Sequence, residues 1–224
     1  MTILVLAPHA DDETLGMGAT ISLHTKNGED VYLAVLTGKG KGNHPFYDDS
    51  VWQIVRAECR EASKNLGIKD VTFLNLPAAN LDSLPAWEIN AEVKNIVEDI
   101  QPTQIYLPFY NDLHKDHKSI AYAINVVCRP YLKSSKKLNK ILAYETLSET
   151  NLSYEHSHFS PNIFVDVSET IDNKIKALSC YKSQLSYDYH PRSIGSIKAL
   201  AALRGSHIGC AYAEAFVLLG EYIR

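Results

Sequence analysis

The sequence has 224 residues, of which 46% are hydrophobic and 21% charged, a composition typical of a globular protein and not of a disordered chain, collagen or a coiled coil. Lys and Arg number 22 against 26 Asp and Glu, a net charge of −4, so the charge balance does not favour duplex nucleic acid or an anionic membrane as a partner. A prior of roughly 100–200 residues per domain favours a single domain over residues 1–224 and leaves a small molecule as the expected partner.

The N-terminal stretch MTILVLAPH lacks the basic segment and the long apolar run of a signal peptide. No later segment offers the roughly 18 apolar residues that a membrane-spanning helix needs, so we expect no stable membrane insertion. The four cysteines are far apart and form no CxxC pair, which predicts reduced and mostly buried thiols. Together these features predict a cytoplasmic protein.

Short apolar runs typical of buried strands alternate along the chain with segments of helical spacing. The predicted strands are 3–7, 31–36, 71–76, 104–108, 141–144, 163–167 and 217–219. The predicted helices are 14–26, 51–66 (ending at Gly67), 86–100, 114–127, 168–181 and 193–203, with a polar, glycine-rich loop at 38–50. This alternation predicts a Rossmann-like α/β domain with a mostly parallel sheet and helices on both faces. Such sheets bind ligands outside the carboxyl ends of their strands.

The first candidate site is PHADDE, residues 8–13, which follows the first strand directly and opens a helix. One interpretation is that Asp11, Asp12 and Glu13 only cap the helix and favour its positive end. His9 favours another interpretation. An imidazole beside two short carboxylates at the end of a strand supplies the nitrogen and oxygen ligands of a borderline cation such as zinc.

The second candidate site is NDLHKDH, residues 111–117, which follows the fourth predicted strand. His114 and His117 are three residues apart and share one face of a helix, although the segment alone is equally consistent with a polar helix start. Since both clusters follow strands of one predicted sheet, we expect them to converge. A third histidine pair, His156 and His158, is better explained as part of a solvated loop.

These residues carry a family resemblance. PHADDE resembles the PHxDDE signature of the PIG-L/LmbE-like zinc-dependent de-N-acetylases, and DLHKDH resembles their second metal motif. Stretches in the C-terminal part resemble a bacterial branch associated with surface-sugar biosynthesis: residues 161–166, 190–193, 204–205 and 213–216. The resemblance covers nearly the whole chain. It implies hydrolysis of an N-acetyl group and a homo-oligomer, a trimer or hexamer.

Carried onto this sequence, the resemblance implies that His9, Asp12 and His117 bind one divalent metal ion per chain, usually zinc. Zinc sites of this type also accept other divalent ions. The resemblance further implies that Asp11 is the general base, which takes the proton of the attacking water. The oxyanion that forms then needs a cationic or hydrogen-bonding partner, for which His114 is a candidate.

Two further aspartates of the second motif receive supporting roles. Asp116 is predicted to orient His117 by accepting its other ring N–H. Asp112 stands where some relatives have a tyrosine, and we expect it to hydrogen-bond sugar hydroxyls or His114.

Three residues outside the metal motifs are candidates for substrate binding. Arg56 and Arg192 are candidate clamps for a charged part of the substrate, because arginine suits phosphate and carboxylate groups. His190 is a candidate general acid or oxyanion partner. The alternatives are a surface ion pair for Arg56 and turn chemistry around Pro191 for the other two.

The sequence therefore predicts a zinc-dependent N-deacetylase that releases acetate from an N-acetylated amino sugar or sugar conjugate. Two alternatives remain at this point: a zinc amidase that cleaves a larger amide, and a metal-holding sugar-binding protein without turnover. A base beside the metal is not needed for binding alone, which argues against the second alternative. A dinucleotide-binding protein is excluded because no GxGxxG follows the first strand.

Overall fold

The computed structural model describes residues 1–41, 47–152 and 158–223. Residues 42–46 of the predicted loop, and His156 of the third histidine pair, lie outside the described residues. The strands are β1 (Thr2–Ala7), β2 (Asp30–Gly38), β3 (Asp70–Pro77), β4 (Gln104–Pro108), β5 (Lys140–Tyr144), β6 (Ile163–Asp166) and β7 (Ala213–Glu221). The α-helices are α1 (Asp12–Lys26), α2 (Asp49–Leu66), α3 (Ala86–Ile100), α4 (Lys115–Val127), α5 (Ile171–Leu178) and α6 (Ile194–Ser206).

The seven strands form one sheet in the order β3-β2-β1-β4-β5-β7-β6. All pairings are parallel except those of β7, which runs antiparallel between β5 and β6. The prediction of a mostly parallel α/β sheet is confirmed. The final strand, β7, is longer than the predicted 217–219. Its antiparallel position between β5 and β6 could not be predicted from the local apolar pattern.

Side chains of β1 alternate between the two faces of the sheet, as the period of two residues in a strand requires. Leu4 and Leu6 pack in the core that includes α3 and α4, whereas Ile3 and Val5 pack in the core on the α1 and α2 side. All four are fully buried, and each such burial contributes roughly 1.5–3 kcal/mol. The continuous apolar run at the start of the sequence is thus a central strand covered on both faces.

Local signals explain two helix boundaries. Helix α2 ends at Gly67, which has a φ of 76° in the left-handed region, as the sequence predicts. Helix α5 is shorter than the predicted 168–181. Asp166 Oδ1 accepts hydrogen bonds from the backbone N–H of Ser168 at 2.9 Å and from its hydroxyl at 2.6 Å, so a turn replaces the first predicted helical residues.

Helix α1 is interrupted at Met17, whose φ of −146° and ψ of 23° are not helical. The backbone N–H groups that follow this break donate to a buried carboxylate from β7. Ala19 donates to Glu214 Oε1 at 3.2 Å and Thr20 to Glu214 Oε2 at 2.6 Å, and Lys174 Nζ lies 2.6 Å from Oε1. Glu214 therefore caps the second half of α1 from a distant part of the chain.

The sequence also predicted that no helix spans a membrane and that the cysteines are reduced. No helix in the described part of the chain is long and apolar enough to cross a bilayer. All four cysteines are free, as predicted. Cys59 and Cys128 are buried, whereas Cys180 and Cys210 are only half-buried.

Candidate metal and catalytic site

The candidate site lies where β1 and β4 end side by side. Val5 of β1 pairs with Tyr106 of β4, and each strand ends two residues later, so the segments after Ala7 and Pro108 emerge at the same edge. The other neighbour of β1 is β2, so the strand order reverses at this point. This is the switch point at which open α/β sheets bind ligands, and the two predicted motifs do meet there.

His9, Asp12 and His117 form a compact group at this edge. Asp12 Oδ2 lies 3.2 Å from His9 Nδ1 and 3.3 Å from His117 Nε2. The ligand atoms of all three residues lie within 4.8 Å of one another. Asp12 and His117 are fully buried, and the His9 side chain is 23% exposed. One ion can therefore contact all three side chains.

Two atoms of this group indicate that it is built for a cation. Asp12 Oδ1 and His117 Nε2 are buried and have no hydrogen-bond partner among the described residues, although buried polar atoms are almost always paired. Two imidazoles and one carboxylate are also a donor set found in catalytic zinc sites, which keep a fourth position open. The residues present thus fit a divalent metal ion.

Each histidine of this group has a buried carboxylate behind it. Asp112 Oδ2 lies 2.8 Å from His117 Nδ1, and Asp112 Oδ1 accepts a hydrogen bond of 2.6 Å from Thr150 Oγ1. Asp116 Oδ2 lies 3.0 Å from His9 Nε2. Such carboxylates fix the ring orientation and the tautomer of metal-binding histidines.

The carboxylate assignment corrects two predictions. Asp116 does not orient His117; it faces His9 and accepts backbone N–H bonds from Ala79 at 2.6 Å and Leu81 at 3.0 Å. Asp112 holds His117 instead. Asp112 is fully buried and contacts His117 and Thr150, whereas the sequence predicted contacts with sugar hydroxyls or His114.

The acidic surroundings shift the pKa values of these imidazoles. Burial alone would lower the pKa of His9, but hydrogen bonds to Asp116 and Asp12 outweigh it and raise the pKa to about 9. Burial also disfavours the charged form of His117, but the negative charge of Asp12 and the hydrogen bond to Asp112 raise the pKa of His117 to about 10. Burial opposes ionisation of Asp12, yet the two histidines hold its pKa well below the usual range. The pocket thus favours positive charge at the position where a metal ion would bind.

Asp11 lies beside this group with an unusual backbone conformation. Its φ is 136°, which L residues rarely adopt, and its side chain makes no capping hydrogen bond to α1. Its N–H donates to Glu13 Oε2 at 3.2 Å, and Glu13 is itself held by Tyr181 at 2.5 Å. Burial raises the pKa of Asp11 to about 7, against the opposing effect of Arg192. Simple helix capping therefore does not explain Asp11.

His114 stands at the rim of the group, with its ring centroid 4.5 Å from that of His9. Its Nδ1 accepts the backbone N–H of Asp116 at 3.2 Å. Burial and the neighbouring His9 lower the pKa of His114 to about 4. The ring is therefore neutral near pH 7 with its proton on Nε2, which makes Nε2–H a hydrogen-bond donor.

A cleft of about 540 Å³ opens beside the candidate metal group. Of the predicted residues, His9, Asp11, His114, Arg56, His190 and Arg192 all line it. Sequence reasoning missed several other lining residues, namely Tyr47, Trp52, Ser148, Glu149 and Gln184. No motif surrounds these five, and only the fold brings them to the cleft.

The predicted substrate-side residues have protein contacts of their own. Arg56 Nη2 donates to the Leu74 carbonyl, and its guanidinium carbon lies 5.4 Å from the ring centroid of Phe73. His190 Nδ1 accepts the backbone N–H of Arg192 at 3.1 Å. Arg192 Nη1 lies 2.9 Å from Asp11 Oδ2, so the charge of Arg192 is already matched within the protein.

Comparisons with known proteins agree with this geometry. The GlcNAc-PI de-N-acetylase (PIG-L) family matches residues 4–128, more than half of the chain. The chain belongs to the PIG-L family. An uncharacterized deacetylase, YaiS, of Escherichia coli is 31% identical over 188 residues, which cover 81% of this chain and 90% of that protein.

Two further PIG-L-like comparisons carry substrate names. A probable N-acetyl-α-D-glucosaminyl L-malate deacetylase 2 of Bacillus cereus is 26% identical over 81% of this chain and 83% of that protein. The solved structure of N,N′-diacetylchitobiose deacetylase from Pyrococcus horikoshii has a TM-score of 0.76 at 24% identity, covering 97% of this chain and 83% of that chain. That structure supports the fold.

The PIG-L match includes the two metal motifs and ends before the cleft is complete. His9, Asp11, Asp12 and His117 lie within residues 4–128, whereas Arg192 lies in the C-terminal half. The C-terminal wall of the cleft therefore lies outside the residues that the family model matches.

Proposed function

We propose that this PIG-L family protein is a metal-dependent N-deacetylase that hydrolyses the acetamide of an N-acetylated amino sugar or sugar conjugate and releases acetate. One observation supports it above the others: a cation-fitting group of His9, Asp12 and His117 lies beside an additional carboxylate, Asp11, on the wall of a cleft. A site that only held a metal would not need that carboxylate.

The proposed cofactor is one zinc ion per chain, held by His9, Asp12 and His117, with Asp116 and Asp112 fixing the two rings. When bound, the ion supplies Lewis acidity, which lowers the pKa of a water molecule and polarises the amide carbonyl. The remaining requirements of amide hydrolysis fall to side chains of the chain itself.

Asp11 is proposed to be the general base. Its Oδ2 is bonded to Arg192, and its Oδ1 has no hydrogen bond to any described residue. Oδ1 is therefore the oxygen that takes the proton of the attacking water and later returns it to the leaving nitrogen, so that water and amide give acetate and a free amine. His114 Nε2–H is proposed to donate to the oxygen that becomes negatively charged as the tetrahedral carbon forms.

The substrate class follows from the cleft and from the relatives. Two of the relatives described above are named as deacetylases of N-acetyl-α-D-glucosaminyl L-malate and of N,N′-diacetylchitobiose. In this chain Trp52 and Arg56 lie on one wall of the cleft and His190 on another. We propose that Trp52 packs against a sugar ring and that Arg56 contacts its substituents. His190 is proposed, as from the sequence, as a general acid or oxyanion partner. The homo-oligomer and the cytoplasmic location remain predictions from the sequence.

Acetate release tests this function. The zinc-loaded protein is incubated with N-acetylglucosamine, N,N′-diacetylchitobiose and N-acetylglucosaminyl malate, and acetate and free amine are measured in equal amounts. Asp11→Asn is the matched control, because it keeps the size of the side chain and removes the base. Turnover of longer N-acyl groups in preference to acetyl would indicate an amidase, and binding without any product would indicate a binding protein.

A further inference from the structure

We propose that Arg192 is a positioning residue for the carboxylate of Asp11 and not a clamp for charged substrates. The inference rests on the proposed function, because it assigns Arg192 a role toward the proposed base. The carrying observation is that Arg192 Nη1 lies 2.9 Å from Asp11 Oδ2, across 181 residues of sequence.

The guanidinium of Arg192 is fixed by groups from two other parts of the chain. Its Nη1 also donates to Gln184 Oε1 at 3.2 Å, and its Nε donates to Ser148 Oγ at 3.4 Å. Ser148 follows β5, and Gln184 lies in the segment between α5 and α6. Because the planar guanidinium presents its donors in a rigid arrangement, these contacts set the direction in which it meets Asp11.

The backbone around Arg192 is also constrained. Its N–H donates to His190 Nδ1 at 3.1 Å, and its carbonyl accepts the N–H of Ser186 at 3.3 Å. The next residue, Ser193, caps α6 by accepting the N–H of Ser196 at 3.1 Å. Arg192 is therefore anchored from both its backbone and its side chain, as a group that positions another residue must be.

Asp11 needs such a partner. Its side chain is only 3% exposed, and Asp12, Glu13 and Glu149 add negative charge around Arg192 and Asp11. A buried carboxylate without a partner is strongly disfavoured. Arg192 matches its charge and occupies Oδ2, which leaves Oδ1 for a proton. Asp11 therefore already neutralises the charge that an anionic substrate group would need from Arg192.

The experiment compares Arg192→Ala and Arg192→Lys with Lys198→Ala, which removes one positive charge from α6 at a position 4.0 Å from Asp172 of α5. Kinetics are measured on a neutral and a carboxylate-bearing N-acetylated sugar, with metal content and Tm determined for each variant. We expect Arg192→Ala to lower kcat roughly 10–100-fold on both substrates, since misplacing a reacting group by about 1 Å costs rates of this order. KM and metal content should remain near those of the wild type.

Added guanidinium chloride, at concentrations well below those that unfold the protein, should partly restore kcat of Arg192→Ala and leave Lys198→Ala unchanged. A merely structural role would give no such rescue. A rise in KM confined to the carboxylate-bearing sugar, with kcat unchanged, would overturn the proposal in favour of a substrate clamp. Gln184→Ala, which removes an anchor of Arg192 on the wall of the cleft, should lower kcat in the same direction by a smaller factor. An unchanged kcat in this variant would show that the anchor does not position Arg192.

A structural readout separates this proposal from the proposed function. If the wild-type protein releases no acetate from any substrate, the proposed function fails. The position of Asp11 in crystals of zinc-loaded Arg192→Ala still tests the inference. A carboxylate that leaves its wild-type position while His9, Asp12 and His117 keep theirs supports the positioning role. An unmoved carboxylate overturns it.

Discussion

Asp112 Oδ2 lies 2.8 Å from His117 Nδ1, and neither side chain is more than 1% exposed. The contact fixes the proton of His117 on Nδ1 when the ring is neutral, which leaves Nε2 as the atom that faces Asp12 and the candidate metal position. Asp112 thus determines which face of the ring is available for a ligand, although it does not belong to the candidate ligand set.

Asp112→Asn should weaken metal binding about 10- to 100-fold, the usual effect of losing the charged partner of a metal-binding histidine. The asparagine can still accept the Nδ1–H bond of His117, so the loss of affinity measures the contribution of the negative charge of Asp112 more than that of the ring orientation. Competition with a chelator of known zinc affinity measures the change. Asp82→Asn is the control, because Asp82 is an exposed carboxylate paired with Lys115. Equal affinities in the two variants would contradict the role of Asp112.

The position of this site could be predicted from the sequence, but the hydrogen-bond partners within it could not. PHADDE and NDLHKDH could be placed at the ends of two parallel strands from apolar pattern alone, and convergence followed from sheet geometry. Which aspartate serves which histidine could not be read from spacing. Asp112 and Asp116 both precede His117 within five residues. Asp116 is held away from His117 by the backbone N–H groups of Ala79 and Leu81, which come from a segment more than thirty residues earlier.

The ligand set itself is testable without activity. His9→Ala and His117→Ala should each lose most of the bound metal after dialysis, because two remaining protein ligands hold zinc far more weakly than three. Metal content by elemental analysis measures this. His24→Ala, which removes a histidine of α1 bonded to Glu29 and Tyr106, is the control and should retain full occupancy. Full occupancy in both test variants would show that other residues hold the ion.

Asp11→Asn should keep its metal and lose roughly 10²–10⁴-fold in kcat, the usual contribution of a general base. The amide fills the same space and can still accept from Arg192, so the loss is assigned to the proton-accepting oxygen. Steady-state acetate release, normalised to metal content, measures the effect. If the variant lost its metal instead, Asp11 would be a ligand and Asp12 the candidate base.

The backbone of Asp11 predicts a difference between two variants that both remove its carboxylate. The φ of 136° at Asp11 is accessible to glycine but strained for alanine. Asp11→Gly should therefore have a free energy of unfolding about 1–3 kcal/mol higher than that of Asp11→Ala, as measured by urea denaturation. Both leave Arg192 without its partner, so the comparison isolates backbone strain. Equal stabilities would show that the conformation costs nothing.

The contacts that could not be predicted from the sequence all join residues that are far apart along the chain. The pattern at 217–219 indicated a strand, yet the antiparallel pairing of β7 with β5 and β6 depends on chain segments far apart in sequence. Similarly, Arg192 looked like a free clamp because its partner, Asp11, is 181 residues away. Local pattern predicts elements well, whereas the pairing of buried charges is decided only when the layers pack.

The buried carboxylate that caps α1 provides the last prediction. Glu214 accepts from two backbone N–H groups at the break in α1 and lies 2.6 Å from Lys174 Nζ, and both side chains are less than 5% exposed. Glu214→Gln should lower the free energy of unfolding by about 3–5 kcal/mol, because it leaves the lysine buried without a compensating charge. Urea denaturation followed by circular dichroism measures the loss.

The double variant Glu214→Gln with Lys174→Met separates the two contributions of this pair. It removes the unpaired charge and keeps an amide oxygen for one backbone N–H, so it should be more stable than Glu214→Gln alone. The remaining loss relative to the wild type then measures the cap on α1, for which about 0.5–2 kcal/mol is expected. A double variant as unstable as the single one would mean that the cap, and not the buried charge of Lys174, dominates the effect of Glu214.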